Sequence, residues 1–117
     1  MTSGADFTLT VRSGRRCARA TLVVHLARGA AESSPTQVGF VVSRSVGGSV
    51  TRHRVTRRLR HQVAALLAAH PDWRAGLRLV VRALPPAASA SSARLHDDLQ
   101  QALTTAAGRL APAVSIA

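Results

Sequence analysis

The stretch GFVVSRSVGGSVTRHRVTRRLRHQV, residues 39–63, decides the fold of this 117-residue chain and concentrates its charge. It begins as an apolar strand, passes the Gly47-Gly48 turn, and continues as a helix of mixed polarity. Between positions 44 and 60 it carries six arginines and neither Asp nor Glu. Because no acid stands at an i, i+4 position, this run differs from an ordinary solvated helix face and favours a polyanionic partner.

A helical wheel at about 100° per residue divides the segment 50–69 into an apolar and a basic face. The predicted core face consists of Val55, Leu59, Val63, Leu66 and Leu67. The remaining arc carries Arg54, Arg57, Arg58, Arg60 and His61. Arg52 falls on the apolar side of the first turn, so we expect it to reach past the sheet edge. Ser49 is the predicted N-cap, and phosphate would offset the positive charge gathered at that helix end.

The rest of the chain alternates apolar segments with turn signals. We predict a helix over 5–12, strands over 20–27, 37–43 and 76–84, extra short strands near 15–20, and a last helix capped by Ser91 or Ser92. Alternation places Val38, Phe40 and Val42 on one face of the second strand. In the third strand Leu77, Leu79 and Val81 lie on the predicted core face, with Arg78, Val80 and Arg82 opposite. This order predicts one α+β domain, residues 1–117, built as a two-layer sandwich of sheet and helices.

Net charge, cysteine content and hydropathy limit the kinds of function that this chain can have. Of the formal charge of +11, residues 1–60 hold 11 Arg against two acids, and residues 61–117 hold five Arg against three. Every basic residue is Arg, which binds phosphate in a bidentate manner. The single Cys17 permits neither an internal disulfide nor a cysteine metal cluster, which fits a reducing compartment. No apolar run reaches the roughly 18 residues of a membrane span, so we expect a cytoplasmic protein without membrane contact.

Catalysis by protein side chains is not indicated. The five carboxylates show no pairing for acid/base chemistry, and the five histidines have no neighbouring Cys or carboxylate cluster for zinc. A chain without Lys also lacks the lysine of a phosphate-binding loop. The sequence therefore predicts a binding surface for nucleic acid.

Segment 39–63 resembles the signature of the bacterial ribonuclease P protein subunit. That signature is a strand ending in Ser and a basic residue, a Gly-containing turn, and an Arg-Asn-Arg helix, and the triplet here is Arg52-His53-Arg54. ADFTLTVRSGRR (5–16) is similar to the family's amino-terminal segment, and LRLVVRALPPAA (77–88) to its strand before the last helix. The resemblance covers nearly the whole chain.

The resemblance implies an αβββαβα fold related to a ribosomal-protein domain, with a left-handed crossover into the last strand. It implies a monomeric accessory subunit without catalytic residues, one per catalytic RNA. That RNA, which binds most of the Mg²⁺, hydrolyses the phosphodiester that releases the 5′ leader of precursor tRNA, the ribonuclease P reaction.

Site residues follow from the resemblance by position. The residues that would contact the catalytic RNA are Arg52, His53, Arg54, Arg57, Arg58 and Arg60. The single-stranded leader would lie in a cleft between the first helix and the sheet, lined by Phe7, Val11, His25 and Arg44. A sequence-tolerant single-strand site requires such stacking and positive charge.

The chain departs from the family pattern at several positions. His53 replaces the family's Asn and can still donate or accept one hydrogen bond. Thr51 and Thr56 stand where Lys is frequent, and Val11 where an aromatic is frequent. Only MTSGA precedes Asp6, so the family's amino-terminal basic segment is nearly absent.

Two other classes of nucleic-acid-binding protein are alternatives to this interpretation. A non-catalytic structured-RNA-binding or ribosomal protein of similar fold would bind RNA without changing its cleavage. A helix-turn-helix DNA-binding protein would need a compact trio of helices, and the predicted strands argue against it.

Overall fold

A four-stranded mixed sheet carries two long helices on one face. The structure, a computed structural model, describes residues 14–29 and 31–110. Its strands are β1 (Arg15–Ala18), β2 (Leu22–Arg28), β3 (Gln37–Val41) and β4 (Leu77–Ala83), and its long helices are α1 (Ser49–Ala69) and α2 (Ser92–Arg109). Short 3-10 helices, Pro71–Trp73 and Pro85–Ala88, flank β4.

The strand order is β1-β2-β4-β3. β2 pairs antiparallel with both β1 and β4, whereas β3 and β4 are parallel. Parallel neighbours need a crossover, and α1 supplies it. The register sets His25 opposite Arg16 on one side and Val80 on the other, so these three side chains share one face of the sheet.

The core lies between the sheet and the helices. Leu22, Val24 and Leu26 of β2 face it, together with Leu77, Leu79 and Val81 of β4 and the apolar stripes of both helices. α1 contributes Val55, Leu59, Val63 and Leu66, each buried, with Leu67 half-buried at the margin. Full burial of one such leucine contributes about 2 kcal/mol.

The predicted α+β sandwich is confirmed, and the strand and helix bounds differ from the predicted ones by one or two residues. The predicted cap Ser91 is also confirmed, since its side chain accepts a hydrogen bond from the Arg94 backbone N–H. The helix predicted over 5–12 lies outside the described residues. The handedness of the crossover stays a prediction.

Within the described part of the chain, neither long helix combines the length and apolar composition needed to cross a bilayer.

Candidate nucleic-acid interface

The amino end of α1 lacks an acidic residue and a side-chain cap of its own. Its N-cap is Gly48, no side-chain hydrogen bond caps it within the described residues, and its first turn contains no acid. The prediction of Ser49 as the cap is wrong, because Ser49 is already the first helical residue. Free backbone N–H groups and the positive end of the helix dipole therefore remain available, an arrangement that binds phosphate.

The two glycines before α1 have different environments. A Cβ atom on Gly47 would lie 2.9 Å from Cγ2 of Thr51, a separation that side chains do not tolerate. A Cβ atom on Gly48 would meet nothing within 4 Å. The close turn therefore needs glycine at 47, while position 48 is open toward a ligand.

One flank of α1 is held to the connection between β4 and α2. Three side chains spaced four residues apart donate to alternate backbone carbonyls: Arg54 Nη2 to Ala88 at 3.1 Å, Arg58 Nη1 to Ala90 at 3.4 Å, and Gln62 Nε2 to Ser92 at 3.1 Å. We call these three hydrogen bonds the carbonyl ladder. Each guanidinium keeps donors beyond the one engaged here, so the ladder orients both arginines and leaves them able to bind phosphate.

The other flank of α1 meets β3. The guanidinium carbon of Arg60 lies 5.8 Å from the centre of the Phe40 ring, within cation–π range. Between the two flanks, the side chains of His53, Arg57 and His61 are exposed. The basic face predicted from the wheel is thus present. Its central strip and Arg60 are exposed, whereas Arg54 and Arg58 are half-buried along the ladder.

Arg52 takes a position of its own at the first turn. It is half-buried, and its Nε atom is buried without a hydrogen-bond partner among the described residues. The same holds for Nε of Arg54. A buried N–H without an acceptor costs free energy, so an incoming oxyanion would relieve a cost that the free protein carries.

The five arginines of α1 have no carboxylate partner among residues 14–29 and 31–110. The helix itself contains no acid between Ser49 and Ala69. Its charge is therefore available to a polyanion.

A second feature opens on the sheet face opposite the helices. A cleft of about 260 Å³ is lined by Arg16, Val23, His25, Ser43, Ser45, Arg82 and the residues 83–85. The hydroxyl groups of Ser43 and Ser45 lie 2.7 Å apart. Burial first, then repulsion from the guanidinium groups of Arg16 and Arg82, lowers the pKa of His25 from its ordinary value of 6.5. The cleft is therefore basic, with both polar and apolar lining residues, and it lies on the sheet side expected for the leader.

Of the four side chains predicted to line a leader cleft, His25 alone lines it among the described residues. Arg44 is exposed between Ser43 and Ser45, at the rim. Phe7 and Val11 lie outside the described residues. Sequence reasoning missed Arg16 and Arg82 as site residues, although strand alternation had placed Arg82 on this face; recognising Arg16 required the β1–β2 register.

The described residues do not fit a Mg²⁺ site held by protein alone. They contain no group of three His, Cys, Asp or Glu side chains placed to share a metal ion. Mg²⁺ prefers oxygen ligands such as carboxylates and phosphates.

A mixed sheet with an acid-free arginine helix on one side and a basic cleft on the other is typical of an α+β protein that binds nucleic acid. The family model "Ribonuclease P" matches residues 1–107. A ribonuclease P protein component of Mycobacterium sp. (strain KMS) is 49% identical over 110 residues, covering 94% of this chain and 91% of the relative. One from Nocardioides sp. is 52% identical over 101 residues, covering 86% and 84%.

The fold agrees with this similarity. The structure matches the RNase P protein of Staphylococcus aureus with a TM-score of 0.75 at 23% identity, covering 91% of this chain and 93% of the other. The chain belongs to the ribonuclease P protein family.

Proposed function

We propose that this chain is the accessory protein subunit of ribonuclease P and assists removal of the 5′ leader of precursor tRNA in the cytoplasm. The observation that carries the proposal is α1, whose one face is buried in the core while its other face bears five arginines without a carboxylate partner in the described chain. Such a surface is costly for an isolated protein and favourable against RNA phosphates.

In this proposal α1 binds the catalytic RNA. Arg57 and His53 reach phosphates from the exposed strip, while Arg54 and Arg58 bind with the orientation that the carbonyl ladder gives them. Arg52 and the free N–H groups of the first turn take a further phosphate, and Arg60 borders the contact beside Phe40. Hydrolysis is carried out by the RNA with Mg²⁺ held mainly by its own phosphates, and the protein contributes charge and positioning.

The precursor tRNA leader occupies the opposite sheet face. His25, Arg16 and Arg82 supply polar and positively charged groups to the cleft there, with Arg44 at its rim. Phe7 and Val11 complete the leader contacts proposed from the family resemblance. One monomeric protein then lies between two RNA segments, the catalytic RNA on α1 and the leader on the sheet.

Reconstitution tests the proposal. The full chain is added to a bacterial ribonuclease P RNA, and cleavage of precursor tRNA is followed over a range of Mg²⁺ concentrations. We expect faster cleavage at low Mg²⁺, where RNA folding and substrate binding depend most on added positive charge. RNA binding without an increase in cleavage at any Mg²⁺ concentration would identify instead a non-catalytic structured-RNA-binding protein.

A further inference from the structure

Gln62 and His96 join the two long helices at the end of the carbonyl ladder. Gln62 Nε2 donates to the backbone carbonyl of Ser92 at 3.1 Å, and Oε1 of the same amide lies 2.9 Å from Nδ1 of His96. A backbone carbonyl only accepts hydrogen bonds, so the atom that faces it must be the amide nitrogen. A reversed amide would bring two acceptor oxygens together. The Ser92 carbonyl therefore fixes which end of the Gln62 amide faces His96.

The orientation of Gln62 also determines where the His96 ring carries its hydrogen. An amide oxygen accepts, so the neutral ring has its hydrogen on Nδ1 and leaves Nε2 as an acceptor. The ring is half-buried, and Nε2 has no hydrogen-bond partner among the described residues. Nε2 is also not one of the buried unpaired atoms in that part of the chain, so it reaches solvent. His96 thus presents a fixed acceptor at the surface between α1 and α2.

This acceptor differs chemically from the groups along α1. The guanidinium groups of the ladder arginines, Arg54 and Arg58, contain donors only, which suit phosphate. His53 and His61 are exposed, and no hydrogen bond to a described residue fixes the tautomer of either ring. Donors bind oxyanions, whereas a fixed acceptor selects a ligand that donates.

The ribose 2′-hydroxyl is the donor that RNA offers beside its phosphates, and DNA lacks it. Gln62 follows Arg58 by one helical turn, about 6 Å along the axis of α1. One nucleotide spans that distance, so a phosphate on Arg58 brings a ribose beside His96. Asp97 is exposed next to His96, and its negative charge disfavours a second phosphate there. A neutral hydroxyl group is therefore the better ligand for Nε2.

We propose that His96 is a specificity-determining residue of the RNA interface, whose Nε2 accepts a hydrogen bond from one ribose 2′-hydroxyl. Gln62 is the positioning residue that fixes its tautomer. The inference rests on the proposed binding of the catalytic RNA to α1. It extends that interface onto α2 and adds a contact that distinguishes RNA from DNA, which contacts between arginine and phosphate do not do.

NMR of the ring nitrogens in the full chain tests the positioning by Gln62. At a pH where the His96 ring is neutral, we expect its hydrogen on Nδ1 in the wild type. Gln62→Leu removes the amide, so the ring should then exchange between both tautomers. Hydrogen on Nε2 in the wild type, or an unchanged tautomer in Gln62→Leu, would overturn this positioning.

Two substitutions separate the outward acceptor from the contact between the helices. His96→Asn keeps a donor at the position of Nδ1 and lacks a polar atom at the position of Nε2. His96→Gln does the reverse and can present its amide oxygen outward. The exposed Asp97→Asn is the control on the same helix. A purely structural role favours asparagine as the replacement, whereas a 2′-hydroxyl contact favours glutamine.

Interference mapping measures the contact itself. The probe is a bacterial ribonuclease P RNA that carries 2′-deoxynucleotides at random positions, and the bound and unbound molecules are separated and mapped. We expect one nucleotide at which the deoxy sugar weakens binding by roughly threefold to tenfold, the loss of one hydrogen bond. This effect should persist with His96→Gln and Asp97→Asn and vanish with His96→Asn.

Loss of binding and loss of the 2′-hydroxyl effect are separate results. Identical maps for wild type and His96→Asn, with the RNA still bound, would overturn the 2′-hydroxyl contact and leave the proposed function intact. Failure of the wild type to bind the RNA would count against the proposed function itself. Loss of the effect in both His96 variants, with a lower unfolding temperature for both, would assign His96 a structural role and contradict the proposal.

Discussion

Oδ2 of Asp98 accepts a hydrogen bond of 2.7 Å from the Thr21 hydroxyl and another of 3.2 Å from the Thr21 backbone N–H. The two residues stand 77 positions apart, one on α2 and one at the turn between β1 and β2. Asp98 is 3% exposed, and Arg94 Nε lies 3.3 Å from both carboxylate oxygens. This buried contact locks α2 onto the β1–β2 hairpin that carries Arg16.

Replacing Asp98 by Ala should destabilise the protein by about 2 to 4 kcal/mol. Two buried donors of Thr21 would lose their acceptor, and burying such groups unpaired is costly. Asp97→Ala is the control, because that neighbour is exposed and its loss should change the free energy of unfolding by less than about 0.5 kcal/mol. Urea unfolding at neutral pH compares the variants, and equal losses would show that the Thr21 contact contributes nothing.

Acid should weaken the same contact. Burial alone would raise the pKa of Asp98, but the hydrogen bonds from Thr21 and the charge of Arg94 outweigh it and hold the pKa below its ordinary 3.8. A lowered pKa in the folded state means stabilisation that is complete above 3.8 and is lost as pH falls through the folded value. The free energy of unfolding of Asp98→Asn should therefore fall less in this acid range than that of the wild type. Parallel curves for the two proteins would refute this.

Substitutions at Gly48 can separate the effect of a helix cap on stability from the effect of a negative charge on RNA binding. The position is open, so Gly48→Ser and Gly48→Asp should each supply the missing cap and stabilise the protein by about 0.3 kcal/mol or more. Only the aspartate places a negative charge where we expect a phosphate, so it should weaken RNA binding by roughly threefold to tenfold at low salt. Thermal unfolding and fluorescence anisotropy measure the two effects. If serine and aspartate weakened binding equally, the loss would come from shape rather than charge.

The carbonyl ladder predicts that some arginines of α1 contribute to both stability and RNA binding, while others contribute to RNA binding alone. Arg54→Ala should lower both the free energy of unfolding, by about 1 kcal/mol, and the affinity for RNA, because its guanidinium also ties α1 to the Ala88 carbonyl. Arg57→Ala, from the exposed strip, should lower affinity alone. Unfolding curves and RNA titrations of both variants check this. Identical stability of the two variants would mean that the ladder does not stabilise the fold.

The sequence predicted most of the architecture because its periodicities are strong. Val55, Leu59, Val63 and Leu66 repeat at helical spacing, and all four are buried. Leu77, Leu79 and Val81 alternate and all face the core. The misassigned cap has a physical reason: Ser49 is a good capping residue, but the close turn at Gly47 places the helix boundary one residue earlier.

The candidate sites were only partly predictable. Charge on α1 is local in sequence, so its arginines could be named before the structure. The ladder could not, because the carbonyls of Ala88 and Ala90 carry no side-chain signal and lie more than 30 positions away. The cleft around His25 likewise depends on strand register, which brings Arg16 and Arg82 beside a histidine from a third strand. Buried contacts such as Asp98 with Thr21 are non-local in the same way.

The salt dependence of RNA binding shows directly whether the exposed arginines of α1 neutralise RNA phosphates. The logarithm of the binding constant for the catalytic RNA is measured against the logarithm of salt concentration for wild type, Arg57→Ala and the control Arg74→Ala. Loss of one phosphate contact should reduce the magnitude of the slope by about 0.7 to 0.9 in Arg57→Ala and leave the control unchanged. Wild-type affinity and slope in Arg57→Ala would contradict the account.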